Sequence, residues 1–174
     1  DWDTLKSIPT PEKTDTYTPI SYEDLYQITT DNLNKHNIKV NNIEFLYSRT
    51  ASSIIMVFFL DIKSKDLQPK LIITSSHNKT RPVKIISGAN VSYCSNGNVF
   101  GSINLKRKYT GELYLIVNQL VEECVSKFIP EFKKFEQQTE IMKSINPDND
   151  EINSLLGILF FKGLINSKML QYIK

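Results

Sequence analysis

Acidic residues are missing from the whole stretch between Asp66 and Glu112, where Lys70, Lys79, Arg81, Lys84, Lys106, Arg107 and Lys108 stand unopposed. That segment carries +7 in a chain whose formal charge is +2, so the remainder carries −5 and a nearly neutral total hides a polarised protein. One-sided charge of this kind favours an anionic partner. Cysteine is also scarce: Cys94 and Cys124 can form one bridge at most, which excludes the dense disulfide framework of small secreted domains and makes reduced thiols the expectation. Together with His36 and His77 they are the only thiols and imidazoles, and their spacing matches no zinc site. The chain has six glycines, and Gly88, Gly97 and Gly101 make neither a phosphate-binding loop nor a dinucleotide fingerprint. Nucleotide hydrolysis has no support, and no cofactor is implied. No apolar run approaches the roughly 18 residues that span a bilayer, and no signal peptide is present, so a soluble intracellular protein without a membrane partner is expected. Arginine is limited to Arg49, Arg81 and Arg107 while isoleucine, lysine and asparagine abound, a compositional bias of the kind an AT-rich genome imposes.

What is present suits one sizeable core, since 40% of the 174 residues are hydrophobic. Residues 1–20, with three prolines and scattered charges, read as an irregular arm that adds little to that core. Ser21 and Asp24 mark a helix start with a capping-box-like pair, and Tyr22, Leu25, Tyr26, Thr29 and Leu33 share one face of a helix over about 21–35. Ile43, Phe45 and Tyr47 alternate as in a strand. Ile54 to Leu60 is apolar at every position, which predicts a central strand covered on both faces. Two further strands, near Leu71–Ser75 and Val83–Ser87, flank a loop from Ser76 to Pro82.

Asn96-Gly97 is a strong hairpin signal, because both residues tolerate the positive φ that a type I′ turn requires. A two-residue turn there pairs Tyr93 with Phe100 across the strands. Thr110 is a candidate cap for a long helix with Leu113, Val117, Val121, Cys124 and Phe128 on its apolar stripe. Pro130 interrupts or kinks it, and its amphipathic pattern continues to about Ile145. Asp148 or Asp150 caps the next helix, Gly163 ends it, and Asn166-Ser167 starts another. The order predicts an α+β fold: a mainly antiparallel five- to six-stranded sheet packed against long helices. The α+β domain covers 21–145, and 146–174 form a C-terminal helical extension. Because the chain starts at Asp1 and stops inside the apolar pattern of Met169, Leu170 and Ile173, it reads as a fragment of something longer.

Three constellations carry chemistry. Lys79, Arg81 and Lys84 sit near one hairpin and Lys106, Arg107 and Lys108 at the exit of the last strand, with Tyr93, Phe100 and Tyr109 between. Such cations neutralise phosphates, and such rings can stack on unpaired bases or pack in the core. His77 and Cys94 invite a thiolate–imidazole pair, but no acid nearby orients the imidazole, and the alternative is a surface-loop histidine with a buried structural cysteine. Glu122-Glu123 and the Asp148, Asp150, Glu151 group read as solvated or capping carboxylates. No catalytic residue is assigned.

Ser75-Ser76-His77-Asn78-Lys79-Thr80, followed by Val91-Ser92-Tyr93-Cys94-Ser95-Asn96-Gly97, resembles the phage/plasmid-like proteins grouped as domain of unknown function 932. Members show an Asn-Ser-His-Asp-Gly-like loop and then a Val-Cys-Ser-Asn segment. Here Ser75, Asn78 and Lys79 replace the asparagine, aspartate and glycine. Gly157-Ile158-Leu159-Phe160 extends the likeness, which spans roughly residues 17–174. The resemblance implies a phage or mobile-element origin, the cytoplasm of a bacterial host as the location, and Ser76, His77, Asn78, Cys94, Asn96 and Gly97 as motif-loop positions. Its element order is also similar to that of single-strand annealing recombination proteins. The leading expectation is therefore a protein that binds single-stranded nucleic acid in recombination or annealing, alone or as a homo-oligomer. The rivals are a non-catalytic structural or interaction protein of the phage particle or of host takeover, docking through the apolar helices after Asn146 with another phage protein as partner, and an enzyme with a His77/Cys94 site.

Overall fold

Alternation of buried and exposed positions builds the sheet. The computed structural model describes residues 2–65, 67–91, 100–164 and 166, with the side chains of 90, 91 and 100–104 left undescribed. Strands β1 (Val40–Tyr47), β2 (Ser53–Leu60), β3 (Leu67–Ser76), β4 (Val83–Val91) and β5 (Phe100–Arg107) pair antiparallel with each sequence neighbour, in the order β1-β2-β3-β4-β5. Helices α1 (Trp2–Ser7) and α2 (Tyr22–Lys35) precede the sheet, and α3 (Leu113–Ser144) and α4 (Asn149–Phe161) follow it. The fold is α+β with a five-stranded antiparallel sheet, as the pattern predicts. Among the described residues no helix is long and apolar enough to cross a membrane.

One face of the sheet makes the core. Ile54, Met56, Phe58 and Leu60 of β2, Leu71 and Ile73 of β3, and Val83 and Ile85 of β4 pack with Leu25, Ile28 and Leu33 of α2 and with Leu113, Val117, Val121 and Phe128 of α3. Ser21 caps α2 as expected, its hydroxyl accepting from the Asp24 N–H. The hydroxyl also donates to the Asp24 carboxylate at 2.6 Å.

Several expectations are corrected. The first twenty residues contribute to the core: Leu5 of α1, Tyr17 and Ile20 are all buried, and Trp2 packs on Tyr26 with ring centroids 4.2 Å apart. Pro9, Pro11 and Pro19 break the local periodicity that would mark these apolar residues as core. The all-apolar β2 is second in the sheet, beside the edge strand β1, and β3 is central. The second face of β2 is covered in part: Val57 is buried, whereas Ile55 and Phe59 are half-buried.

The register of β5 differs as well. Phe100 stands opposite Ala89, and Leu105 opposite Ile85. The two-residue turn would have set Lys108 against Ile85, whereas the observed register puts the partly buried Leu105 in the core layer. Thr110 lies outside α3, whose first helical residue is Leu113, while Gly111 at φ +70° supplies the bend into the helix. Helix α3 runs through Pro130 without interruption.

The chain divides into two compact units, Asp1–Glu136 and Gln137–Lys174. In the second unit Asp148 caps α4, with Glu151 completing a capping box. Gly163, at φ +68°, follows its end. Leu155, Ile158, Phe160, Phe161 and Leu164 are exposed there. The expected helix start at Asn166-Ser167 and the Asn96-Gly97 turn lie outside the described residues.

Candidate nucleic-acid interface

Antiparallel pairing brings the two halves of the acid-free stretch together. Val83, where β4 begins, stands opposite Arg107, where β5 ends, so the β3–β4 loop and the exit of β5 become neighbours. Lys79, Arg81, Lys106, Arg107 and Lys108 thereby line one open cleft of about 610 Å³. Among the described residues no carboxylate lines it. Lys79, Arg81, Lys106 and Lys108 are exposed, whereas Arg107 is half-buried. The Arg107 Nε is buried with no hydrogen-bond partner among the described residues, an unusual state for a charged donor.

The loop that presents Lys79 and Arg81 is built by the motif residues. The Ser76 hydroxyl donates to the Arg81 carbonyl and accepts from the Arg81 N–H, each at 2.9 Å. The Asn78 side-chain oxygen accepts from the Thr80 N–H and hydroxyl, and its amide reaches the Ser52 hydroxyl. Lys79 takes a left-handed conformation, φ +64°. Ser76 and Asn78 thus shape the turn and set the direction of the cations beside them.

His77 is not a free surface residue. Its ring stacks on Tyr22 at 3.9 Å with an interplanar angle of 9°, and its Nε2 lies 3.1 Å from the Ile20 carbonyl. Burial holds its pKa below the ordinary 6.5, because the cation would be poorly solvated. Burial likewise pushes the Tyr22 phenol up to about 12 and raises the thiol pKa of the buried, unbridged Cys124. Cys94 lies outside the described residues.

The aromatic walls differ from those the sequence suggested. Tyr93 is outside the described residues, and Phe100 begins β5, at the opposite end from Arg107, so it does not flank the basic group. Tyr109, which the sequence places there, lines the cleft together with Tyr17, with centroids 5.4 Å apart. The Tyr17 hydroxyl donates to the His77 carbonyl at 3.2 Å, and the Lys79 ammonium sits 4.4 Å from the centre of the Tyr17 ring. The Tyr109 hydroxyl accepts from the Ser76 N–H at 2.6 Å and bonds the Ser75 hydroxyl at 2.8 Å. The Thr18 N–H donates to the Tyr109 carbonyl, which draws the N-terminal segment against the cleft. Nothing in the local pattern around Tyr17 signals this, because the contact joins residues far apart in sequence. Lys84 is not a cleft residue; it stands on β4 opposite Lys106.

No family model, curated protein or solved structure matches the chain.

Proposed function

We propose that the protein binds single-stranded nucleic acid through this cleft, as a phage or mobile-element protein working in recombination or annealing. The observation that carries the reading is the convergence of five cations on one cleft that no carboxylate lines among the described residues. Clustered cations hold phosphates by releasing counterions, while the two tyrosines, both buried, brace the wall that presents those cations. The resemblance of the Ser75–Thr80 segment to the phage family supplies the biological setting.

A labelled single strand of about 20 nucleotides, longer than the roughly 4–16 one binding module covers, tests the reading. Fluorescence anisotropy should show affinity falling steeply with salt, and log K should decline by roughly 0.7 per log unit of salt for each phosphate held. Lys106→Ala, Arg107→Ala and Lys108→Ala together should flatten that slope by about 2, with circular dichroism confirming that the variant is folded. Absent or salt-independent binding would overturn the reading.

A second reading, an interaction protein, is favoured by the exposed Leu155, Ile158, Phe160, Phe161 and Leu164. An apolar surface of this kind normally meets another protein. Light scattering with and without the strand separates the two, since a protein-built assembly forms without nucleic acid.

A further inference from the structure

The face of the sheet turned away from the core carries its own cationic feature. Lys84 stands directly opposite Lys106 on neighbouring strands, so their side chains leave the same face with Cβ atoms roughly 5 Å apart. Like charges in that relation destabilise a sheet. No acid on β3, β4 or β5 relieves them, and neither lysine has an ion pair among the described residues. The first acid met across this face is Glu44 on β1: following the register, Lys106 neighbours Lys84, then Thr74, Ile55 and Leu46, and Glu44 lies two residues along from Leu46. With strands about 4.8 Å apart, β1 lies about 14 Å from β4.

Behind the two lysines the face is apolar. Ile86, Ile72 and Val57 stand in one cross-strand row and Ile55 and Leu46 in the next. Val57 is buried, Leu46 is 53% exposed, and none of these five joins the core cluster. An open antiparallel face normally carries polar residues at such positions. Here an apolar platform has a cationic rim, and that rim is continuous with the cleft because Lys106 belongs to both.

We propose that this face continues the binding track: a single strand leaves the cleft over Lys106, sets phosphates on Lys84 and Lys106, and lays its bases on Ile86, Ile72 and Ile55. The proposal rests on the cleft reading and extends it from an anion site at the end of β5 to a path across the sheet. A polyanion satisfies both observations at once, since its phosphates relieve the paired lysines and its bases cover the apolar surface. A second copy of the chain presenting the same face would meet cations with Glu44 as the one acid within the five strands to oppose them.

The test uses the full chain, the same labelled strand and the charge-neutral pair Lys84→Gln with Lys106→Gln, beside Lys133→Gln with Lys134→Gln as an equal change of net charge on exposed α3 positions. Releasing two phosphates from these lysines should flatten the salt slope by about 1.4 and weaken binding roughly 25-fold at 0.1 M salt. The α3 pair should leave the slope unchanged, and Lys84→Arg with Lys106→Arg should restore it. Ile72→Ser, on the platform, should weaken the strand without changing the slope. Overturning results are distinguishable. Wild-type protein that ignores the strand removes the cleft reading itself. A glutamine pair whose slope flattens by only about 0.7, the share Lys106 already has in the cleft, leaves the cleft reading and removes the track. A change in sedimentation rather than in strand affinity, for that pair or for Ile72→Ser, assigns the face to a second copy instead.

Discussion

The two faces of one sheet carry nearly the same composition along β2 and have different fates. Met56 and Phe58 are fully buried in the core, while their neighbours Val57 and Phe59 point to the other face and stay outside the core cluster. At β4 the contrast sharpens, because Val83 and Ile85 are core residues and Lys84 is half-buried across from Lys106. Hydrophobicity alone therefore does not say which face the helices take. The core face is the one on which all five strands offer apolar side chains in register, from Phe45 through Met56, Ile73 and Ile85 to Leu105. On the opposite face the same succession runs from Leu46 and Ile55 into Thr74, Lys84 and Lys106. A helix laid there would desolvate lysines without partners, at a cost that apolar contact on β1 and β2 does not offset.

Adjacent phenylalanines offer the most forceful way to break this comparison. Phe58→Ala removes a fully buried ring and should cost about 3–5 kcal/mol in denaturant unfolding. Phe59→Ala, on the other face, should cost about 1 kcal/mol, the worth of a half-buried ring, with a little more from the Lys70 ammonium 4.5 Å from its centre. Equal costs would mean that the second face is packed like the first.

Much of this contrast is legible in the sequence. The alternation of Ile43, Phe45 and Tyr47, the Ser21 cap, the Asp148 cap and the apolar stripe of α3 all report local periodicity, and each stands where the pattern set it. The clustering of basic residues is legible too, because hairpin topology makes Arg81 and Arg107 neighbours whatever the detailed register. Position within the sheet is not: β2 is apolar on both faces, yet its place beside an edge is decided by what precedes it. Register fails for a related reason, since the Asn96-Gly97 signal is local while Leu105 must meet Ile85 in the core layer. Tyr17 escapes notice because only tertiary contact turns an isolated aromatic among prolines into the wall of a cleft.

Tyr109 marks the point where core and cleft meet, and its hydroxyl offers a smaller, sharper test. Tyr109→Phe keeps the ring beside Tyr17 but removes the acceptor of the Ser76 N–H and the partner of the Ser75 hydroxyl, both buried groups. Leaving such groups unpaired costs about 1–3 kcal/mol. Denaturant unfolding should register that loss while strand affinity under folding conditions changes little. A large affinity loss with unchanged stability would instead place the hydroxyl itself on the ligand.

The smallest expected effect concerns His77, which closes the core side of the sheet just after β3. Its folded pKa lies below the ordinary 6.5 because burial disfavours the cation. The unfolded chain therefore binds the proton more readily, and stability rises with pH across the interval from the folded value to about 6.5. The contribution is complete above about 6.5 and is lost as pH falls through that interval. One proton limits the slope to at most about 1.4 kcal/mol per pH unit, and less for a half-buried ring. His77→Phe should keep the stack on Tyr22, give up the contact with the Ile20 carbonyl, and remove this part of the pH dependence. Unfolding curves of the two proteins between about pH 5 and 7 should then differ in slope, the wild type losing more stability on the acid side. Parallel curves would mean that the imidazole is solvated alike in both states and that the Tyr22 stack, unlike the contacts around Phe58, opens readily to water.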